Sequence, residues 1–248
     1  MDLIIPQWPA PAYVRACFST RSGGRSAGSY AGLNLGAHVG DDPAVVARNR
    51  QQLASVLDLP QAPFWLNQVH GTEVVVADAA SVYSSPPIAD AAVTHVTGIV
   101  LSVMTADCLP VLFCNRSGSV VATAHAGWRG LCNGVLEQTV SRMACPAEDV
   151  MAWMGPAIGP CAFEVGEDVR QAFLDKDNAA VSAFMPTTSG KWLADLYLLA
   201  RQRLATVGVS AVFGGEHCTF SDATRFYSYR RDGQTGRMSG LIWMVPTF

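Results

Sequence analysis

Three side chains spread through the middle of the chain can do chemistry together: His70, Cys108 and His125. Each sits in a short, unusual string: Asn67-Gln68-Val69-His70-Gly71, Thr105-Ala106-Asp107-Cys108-Leu109-Pro110 and His125-Ala126-Gly127-Trp128-Arg129-Gly130. Two imidazoles and one thiolate form the ligand set of a catalytic zinc whose fourth position is left to water or substrate. Without a metal, the same residues read as a Cys/His nucleophile pair. Ligands drawn from separate elements fit a catalytic site better than a structural one, which favours close pairs stapling one loop. A histidine near a strand end is also commonly a hydrogen-bonded core residue, and five histidines leave room for coincidence. Residue types alone leave these readings open.

A metal held this way keeps a positive charge and brings the pKa of its bound water from 15.7 to about 7. It can equally hold an anion such as phosphate. Asp90 and Asp107 are the carboxylates placed to orient a ligating imidazole or to carry protons; ordinary hydrogen bonds at strand ends are the competing reading. Arg129 stands beside His125 at a helix start, where backbone N–H groups favour anions. Arg50 falls at the exposed side or edge of a first helix, and Arg230 lies in the polar loop Tyr229-Arg230-Arg231. Each is a surface salt-bridge candidate as well as an anion ligand. Asn67 joins Arg50, Arg129 and Arg230 in the substrate-binding set. Cys161 and Cys218 read as packing, and His38, His95 and His217 are set aside. His38 nevertheless lies between a loop and a helix, in Asn34-Leu35-Gly36-Ala37-His38.

Elements must position these groups. Arg15–Ser19 reads as a strand that runs into the polar stretch Thr20–Ser29, expected to be a mobile loop. A helix follows with Asp42 as N-cap and Pro43 in its first turn. Val45, Val46, Leu53, Val56 and Leu57 form its apolar stripe, with Asn49 pointing inward and needing partners. From Pro63 to Gly127 come short β-rich runs at 64–67, 74–77, 99–104, 111–115 and 120–124, with a loop at Ser84–Pro87. The three candidate ligands lie just past the ends of such runs. Leu131–Met143 and Trp192–Val207 carry helical periodicity, the latter closed by Gly208. Strands are expected at 151–154, 211–213 and 241–245. No repeat or linker divides the chain, so one α+β domain over residues 1–248, with mixed sheets packed with helices, is the simplest account.

Composition narrows the function. In 248 residues, half are hydrophobic and 15% charged, which excludes disorder and provides a sizeable core. A net charge of −3 excludes a general nucleic-acid binder. Only Lys176 and Lys191 are lysines among 17 basic residues, an arginine bias that suits phosphate or carboxylate recognition. Seven cysteines without a CxxC pair, no secretory leader and no apolar run of bilayer length point to a reduced, cytoplasmic, non-membrane protein.

Taken together, these strings resemble the YfiH family, whose members are called laccase-domain or multicopper polyphenol oxidase proteins, purine nucleoside phosphorylases or peptidoglycan editing factors. The likeness covers nearly the whole chain. It runs from Asn34-Leu35-Gly36 and Asn49-Arg50 through the three central strings and Ala89-Asp90-Ala91. It then continues through Gly155–Cys161 to Ser228-Tyr229-Arg230-Arg231. The resemblance implies a YfiH-like fold and a zinc on His70, Cys108 and His125 that serves catalysis; Asp107, read from its place beside Cys108, joins these three in the catalytic set as a proton carrier. It also implies Arg50 as an anion contact near the metal. The implied activity is phosphorolysis of adenosine, inosine, guanosine or methylthioadenosine, together with adenosine deamination. Purine nucleosides and phosphate are then the partners, and a monomer is favoured. A cysteine amidohydrolase editing muramyl-peptide precursors is the alternative, and zinc that only ties strands together is a third reading. Copper-dependent phenol oxidation fits poorly, because a four-copper centre needs several His-x-His pairs and this chain has none. Copper can still replace zinc at a single N/S site.

Overall fold

The alternating apolar runs become strands that divide between two sheets packed face to face. The structure, a computed structural model, describes residues 1–78 and 85–246; of the loop expected at Ser84–Pro87, Ser84 lies outside the described residues. One sheet is antiparallel, in the order β1 (Leu3–Ile4), β2 (Val14–Ser19), β13 (Met238–Met244), β5 (Leu101–Thr105). The other has six strands: β12 (Ala211–Gly214), β8 (Val150–Met154), β6 (Leu109–Asn115), β7 (Val121–Ala126), β4 (Ala91–Thr94) and β3 (Val74–Val76). Its two outer pairs are parallel and its interior antiparallel. A small third sheet joins β10 (Phe184–Pro186), β11 (Trp192–Ala194) and β9 (Glu164–Val165).

Period-two alternation creates the layers. Along β6, Leu109, Val111 and Phe113 point into a core shared with α3 (Val135–Arg142) and α5 (Leu196–Thr206). Leu112 and Cys114 point the other way, against Phe18, Leu101, Val103 and Ile242 of the four-stranded sheet. The outer face of that sheet, with Cys17, Leu241 and Trp243, packs against Leu53 of α1 (Pro43–Val56). The result is helix, sheet, sheet, helix: an α+β fold. Each fully buried leucine or phenylalanine in these layers contributes roughly 1.5–3 kcal/mol.

Several expectations shift. Asp42 does cap α1, accepting from Ala44 N at 2.8 Å, but Val56 is 56% exposed and leaves the apolar stripe. Asn49 is buried and fully partnered, by Arg25 N, Ser26 Oγ and the Asn34 carbonyl. Those bonds, with Ser26 to Asp41, tie down the polar stretch expected to be mobile. The helix expected at Leu131–Met143 is broken by Gly134 at φ +100° into α2 (Trp128–Asn133) and α3. The one expected from Trp192 begins only at Leu196, because Asp195 caps it and Trp192–Ala194 pair as β11. The strand β4 and the helices α4 (Glu167–Leu174) and α6 (Tyr229–Asp232) lie outside the expected set. No helix among the described residues is long and apolar enough to cross a membrane.

Candidate active site

Asp90, fully buried, organises the site. It directly precedes β4, beside β7 in the sheet, and its main-chain carbonyl accepts from His125 N at 2.7 Å. Its carboxylate accepts four further hydrogen bonds. Oδ1 takes His125 Nδ1 at 2.7 Å and His70 N at 2.9 Å; Oδ2 takes Gly71 N at 2.7 Å and Val69 N at 3.1 Å. Three consecutive amides thus form an anion nest filled by one side chain. Burial works to raise the Asp90 pKa, but the hydrogen bond and charge of His125 and the Gly71 and Val69 amides hold it below the usual carboxylate range. His70 sits at φ +61°, a left-handed conformation costing about 1–3 kcal/mol that those bonds offset.

His125 lies within β7 rather than past its end, and is 3% exposed. With Nδ1 bound to Asp90, its Nε2 is left for a ligand, the usual second contact of a metal-binding imidazole. Cys108 occupies the turn from β5 to β6, where the chain crosses from one sheet to the other. Asp107 makes that turn at φ +97°. Cys108 Sγ stands 3.7 Å from His70 Nε2, and the His70 and His125 rings meet edge to face at 4.7 Å.

One ligand atom from each of His70, Cys108 and His125 lies within 4.8 Å of the others, the only such cluster among the described residues. A tetrahedral zinc with bonds of about 2.0–2.3 Å needs donors roughly 3.3–3.8 Å apart, so small adjustments close the set on an ion. Gly127 shows how tightly the donors converge. A Cβ there would stand 2.9 Å from His70 Cδ2 and 3.0 Å from Cys108 Sγ.

Electrostatics suit a metal-binding thiolate. Burial pushes the Cys108 thiol up, but the adjacent His125 and His70 outweigh it and bring it down to about 6. Burial pulls His125 down, and Cys108 and Asp90 raise it to about 9. Each partner thus favours the other's charged form, the imidazolium drawing the thiol toward thiolate. Cys17 and Cys114, buried among apolar groups, are pushed up to about 12 and stay inert.

The triad opens into a cavity of about 420 Å³. Of the expected site residues, Asp107 and Arg230 also line it. Asp107 accepts from Thr219 Oγ1 at 2.6 Å and from Arg230 N at 2.7 Å, so both its oxygens are engaged. Arg230 extends over Phe163 and donates to the Glu164 carbonyl. Arg50, Asn67 and Arg129 do not line the cavity. Arg50 is half-buried behind it, donating to the Leu35 carbonyl and Met104 Sδ and lying over Trp65. Burial lowers its pKa to about 10. Asn67 pairs through its backbone with the segment at Ile88 and faces solvent. Arg129 is exposed over Trp128.

Strand-like alternation places Gln68, not Asn67, toward the site, where it exchanges two 2.8 Å hydrogen bonds with the Met104 main chain. His38, set aside on sequence grounds, lines the cavity, as do Phe163, Tyr229 and Arg237. Burial lowers the His38 pKa, and Arg237, Arg50 and His125 lower it further, so its imidazole is neutral near pH 7. Arg237 was detectable as a lone charge at the mouth of the apolar run that becomes β13.

A family model described as multi-copper polyphenol oxidoreductase laccase matches residues 15–245. The chain is 56% identical over 243 residues to a protein named purine nucleoside phosphorylase YfiH from Escherichia coli, covering 98% of this chain and 99% of the relative. It is 54% identical to a purine nucleoside phosphorylase from Pseudomonas aeruginosa, covering 97% of this chain and 98% of the relative. A crystal structure of a Neisseria meningitidis protein, 50% identical, superposes with a TM-score of 0.94 and covers 99% of this chain and 100% of that one.

Proposed function

This chain belongs to the multi-copper polyphenol oxidoreductase laccase family, and we propose that within it the chain is a zinc-dependent purine nucleoside enzyme acting by phosphorolysis. The observation that carries this reading is the converging Cys/His₂ donor set on the wall of a cavity that also presents aromatic and cationic side chains. The names of relatives matching almost the whole chain supply the substrate class.

Zinc held by His70, Cys108 and His125 would supply a compact positive charge with one open position. Asp90 keeps His125 in the tautomer that offers Nε2 and fixes the His70 loop. Phe163 and Tyr229 offer aromatic surface for a purine ring. Neutral His38 can donate to or accept from the substrate. In phosphorolysis a phosphate oxygen bonds to C1′ of the ribose, the C1′–N9 bond breaks, and the purine leaves with that electron pair and takes up a proton. Asp107, with both oxygens occupied, serves best as a positioning residue that joins the Cys108 turn to the Arg230 loop. Adenosine deamination at the same site is the finer extension of this reading.

The test is a panel of adenosine, inosine, guanosine and methylthioadenosine with and without phosphate. Inosine should yield hypoxanthine and ribose 1-phosphate only when phosphate is present. Release of hypoxanthine at the same rate without phosphate would reject phosphorolysis, and ammonia release from adenosine would establish deamination.

The approach of Cys108 Sγ to His70 Nε2 at 3.7 Å, a thiol beside a potential base, favours one second reading, a cysteine amidohydrolase acting on muramyl-peptide precursors. Such an enzyme keeps working after chelation and dies with iodoacetamide. Phenol oxidation finds one three-ligand site among the described residues and none of the His-x-His pairs that a four-copper centre uses, so it would need adventitious copper in place of zinc. All seven cysteines are free, which suits a reducing cytoplasm.

A further inference from the structure

We propose that Arg237, rather than Arg50, is the arginine that binds the anionic co-substrate, with the purine taken by the Phe163 and Tyr229 side of the cavity. The inference deepens the phosphorolysis reading and rests on it for the identity of the anion, inorganic phosphate.

The two arginines differ in what their guanidinium groups have left to offer. Arg50 is committed: Nε donates to the Leu35 carbonyl at 2.9 Å, Nη2 reaches Met104 Sδ, and its face covers Trp65 at 3.9 Å. Arg237 lines the cavity and uses only Nη1, which donates to the carbonyls of Thr235 at 2.9 Å and Gly236 at 3.0 Å. Its Nε and Nη2 have no hydrogen-bond partner, and it joins no ion pair among the described residues. One edge of a half-buried guanidinium is thus fixed by the main chain and the other is free. That is the fork which binds a phosphate through two N–H groups at once.

The main chain around Arg237 is held as firmly as a ligand residue. Buried Asn34 accepts from Arg237 N at 2.9 Å through Oδ1, and the Arg237 carbonyl accepts from Leu35 N at 3.0 Å. Gly36 gives the side chain its path, since a Cβ there would stand 2.8 Å from Arg237 Cγ. The Asn34-Leu35-Gly36 string therefore has a physical role: it clamps Arg237 on both sides and also receives Arg50.

The surrounding charge favours an anion. His38 lines the same cavity and feels Arg237, Arg50 and His125, and a zinc on the triad would add to that field. The acidic groups that act on Arg237 are Cys108 and Asp107, with Tyr229 and Tyr30 also facing it. Cys108 would be taken up by the zinc of the proposed site, and the Asp107 oxygens already accept from Thr219 and Arg230. Neither closes an ion pair with Arg237.

Titration calorimetry of the zinc-loaded protein with inorganic phosphate reads the site without turnover. Arg237→Gln should weaken phosphate binding at least about tenfold, Arg237→Lys by an intermediate factor because it keeps charge and loses the fork, and Arg50→Gln less than either. Zinc content and melting temperature identify any variant that fails to fold, in which case Arg237→Lys carries the comparison. In the kinetics, Arg237→Lys should raise the KM for phosphate while leaving the KM for inosine within about twofold. Undiminished phosphate affinity in folded Arg237→Gln or Arg237→Lys, a larger loss in Arg50→Gln, or no phosphate binding by the wild type each overturns the assignment. Phosphate that binds through Arg237 in a protein unable to cleave inosine would reject phosphorolysis and leave the anion site standing.

Discussion

The six-stranded sheet and the four-stranded sheet meet at the cavity and equip it differently. The six-stranded sheet brings His125 on β7 and, through Asp90 beside β4, the His70 loop, with a buried carboxylate accepting from three consecutive amides and the His125 imidazole. The four-stranded sheet brings Met104 and Thr105 from β5 and Arg237 from the entry to β13, with part of the guanidinium left open. Saturated hydrogen bonding fixes donor atoms to the tolerance a metal needs. Unfilled donors select what enters. One side reads as machinery and the other as recognition, so changes on the first should remove rate and metal together, and changes on the second should move substrate affinity.

The largest expected effect follows from Cys108→Ala. Loss of the thiolate should remove zinc and lower kcat by at least about a thousandfold, read by metal analysis and inosine turnover on the same sample. Asp90 comes next. Asp90→Ala leaves three amides and an imidazole without their acceptor, and should cost about 3–5 kcal/mol in chemical denaturation. Asp90→Asn keeps the shape and should weaken metal affinity about 10–100-fold.

Asp90 also sets a pH dependence. Its folded-state pKa is held below the ordinary carboxylate value. The stability it contributes is therefore present above that ordinary value and lost as pH falls through the depressed one. Melting temperature against pH should show an acid slope in the wild type that is shallower in Asp90→Asn.

Smaller changes sharpen the boundary. Gly127→Ala pushes a methyl group between His70 and Cys108 and should reduce zinc affinity about tenfold or more while the fold persists, seen by competition with a chromophoric chelator. The smallest effect should come from Arg129→Ala. That side chain is exposed over Trp128, so stability should change by under about 0.5 kcal/mol and kcat/KM by under twofold. A larger loss would return Arg129 to the site.

Much of this arrangement was legible in the chain itself. Cys108 and the two histidines stood out because one thiol and two imidazoles make a metal-ligand set and each sits in an unusual string, and Asp42-Pro43 marks the start of α1. What escaped was whatever depends on long-range pairing. β4 is a four-residue Ala-Ala-Val-Thr run whose strand character comes from lying between β3 and β7. Trp192–Ala194 fits helical periodicity, yet pairs with β9 and β10 because Asp195 caps the helix behind it. Asn67 and Gln68 exchange roles through the alternation of an extended segment, which a motif alone does not phase. Arg50 stands out because it sits beside Asn49 at the edge of the first helix, but that helix turns it onto Trp65. Arg237 stands in the sequence as a lone charge ahead of the last apolar run, but its place in the cavity follows only once that strand is set in the sheet beside β5.

The central claim is that the triad holds zinc and that nucleoside cleavage depends on it. The most direct test measures zinc per chain and phosphate-dependent inosine cleavage together, for wild type before chelation, after chelation and after zinc is restored. The account predicts about one zinc per chain, loss of activity with the metal and recovery with it. Full activity in zinc-free protein would contradict it.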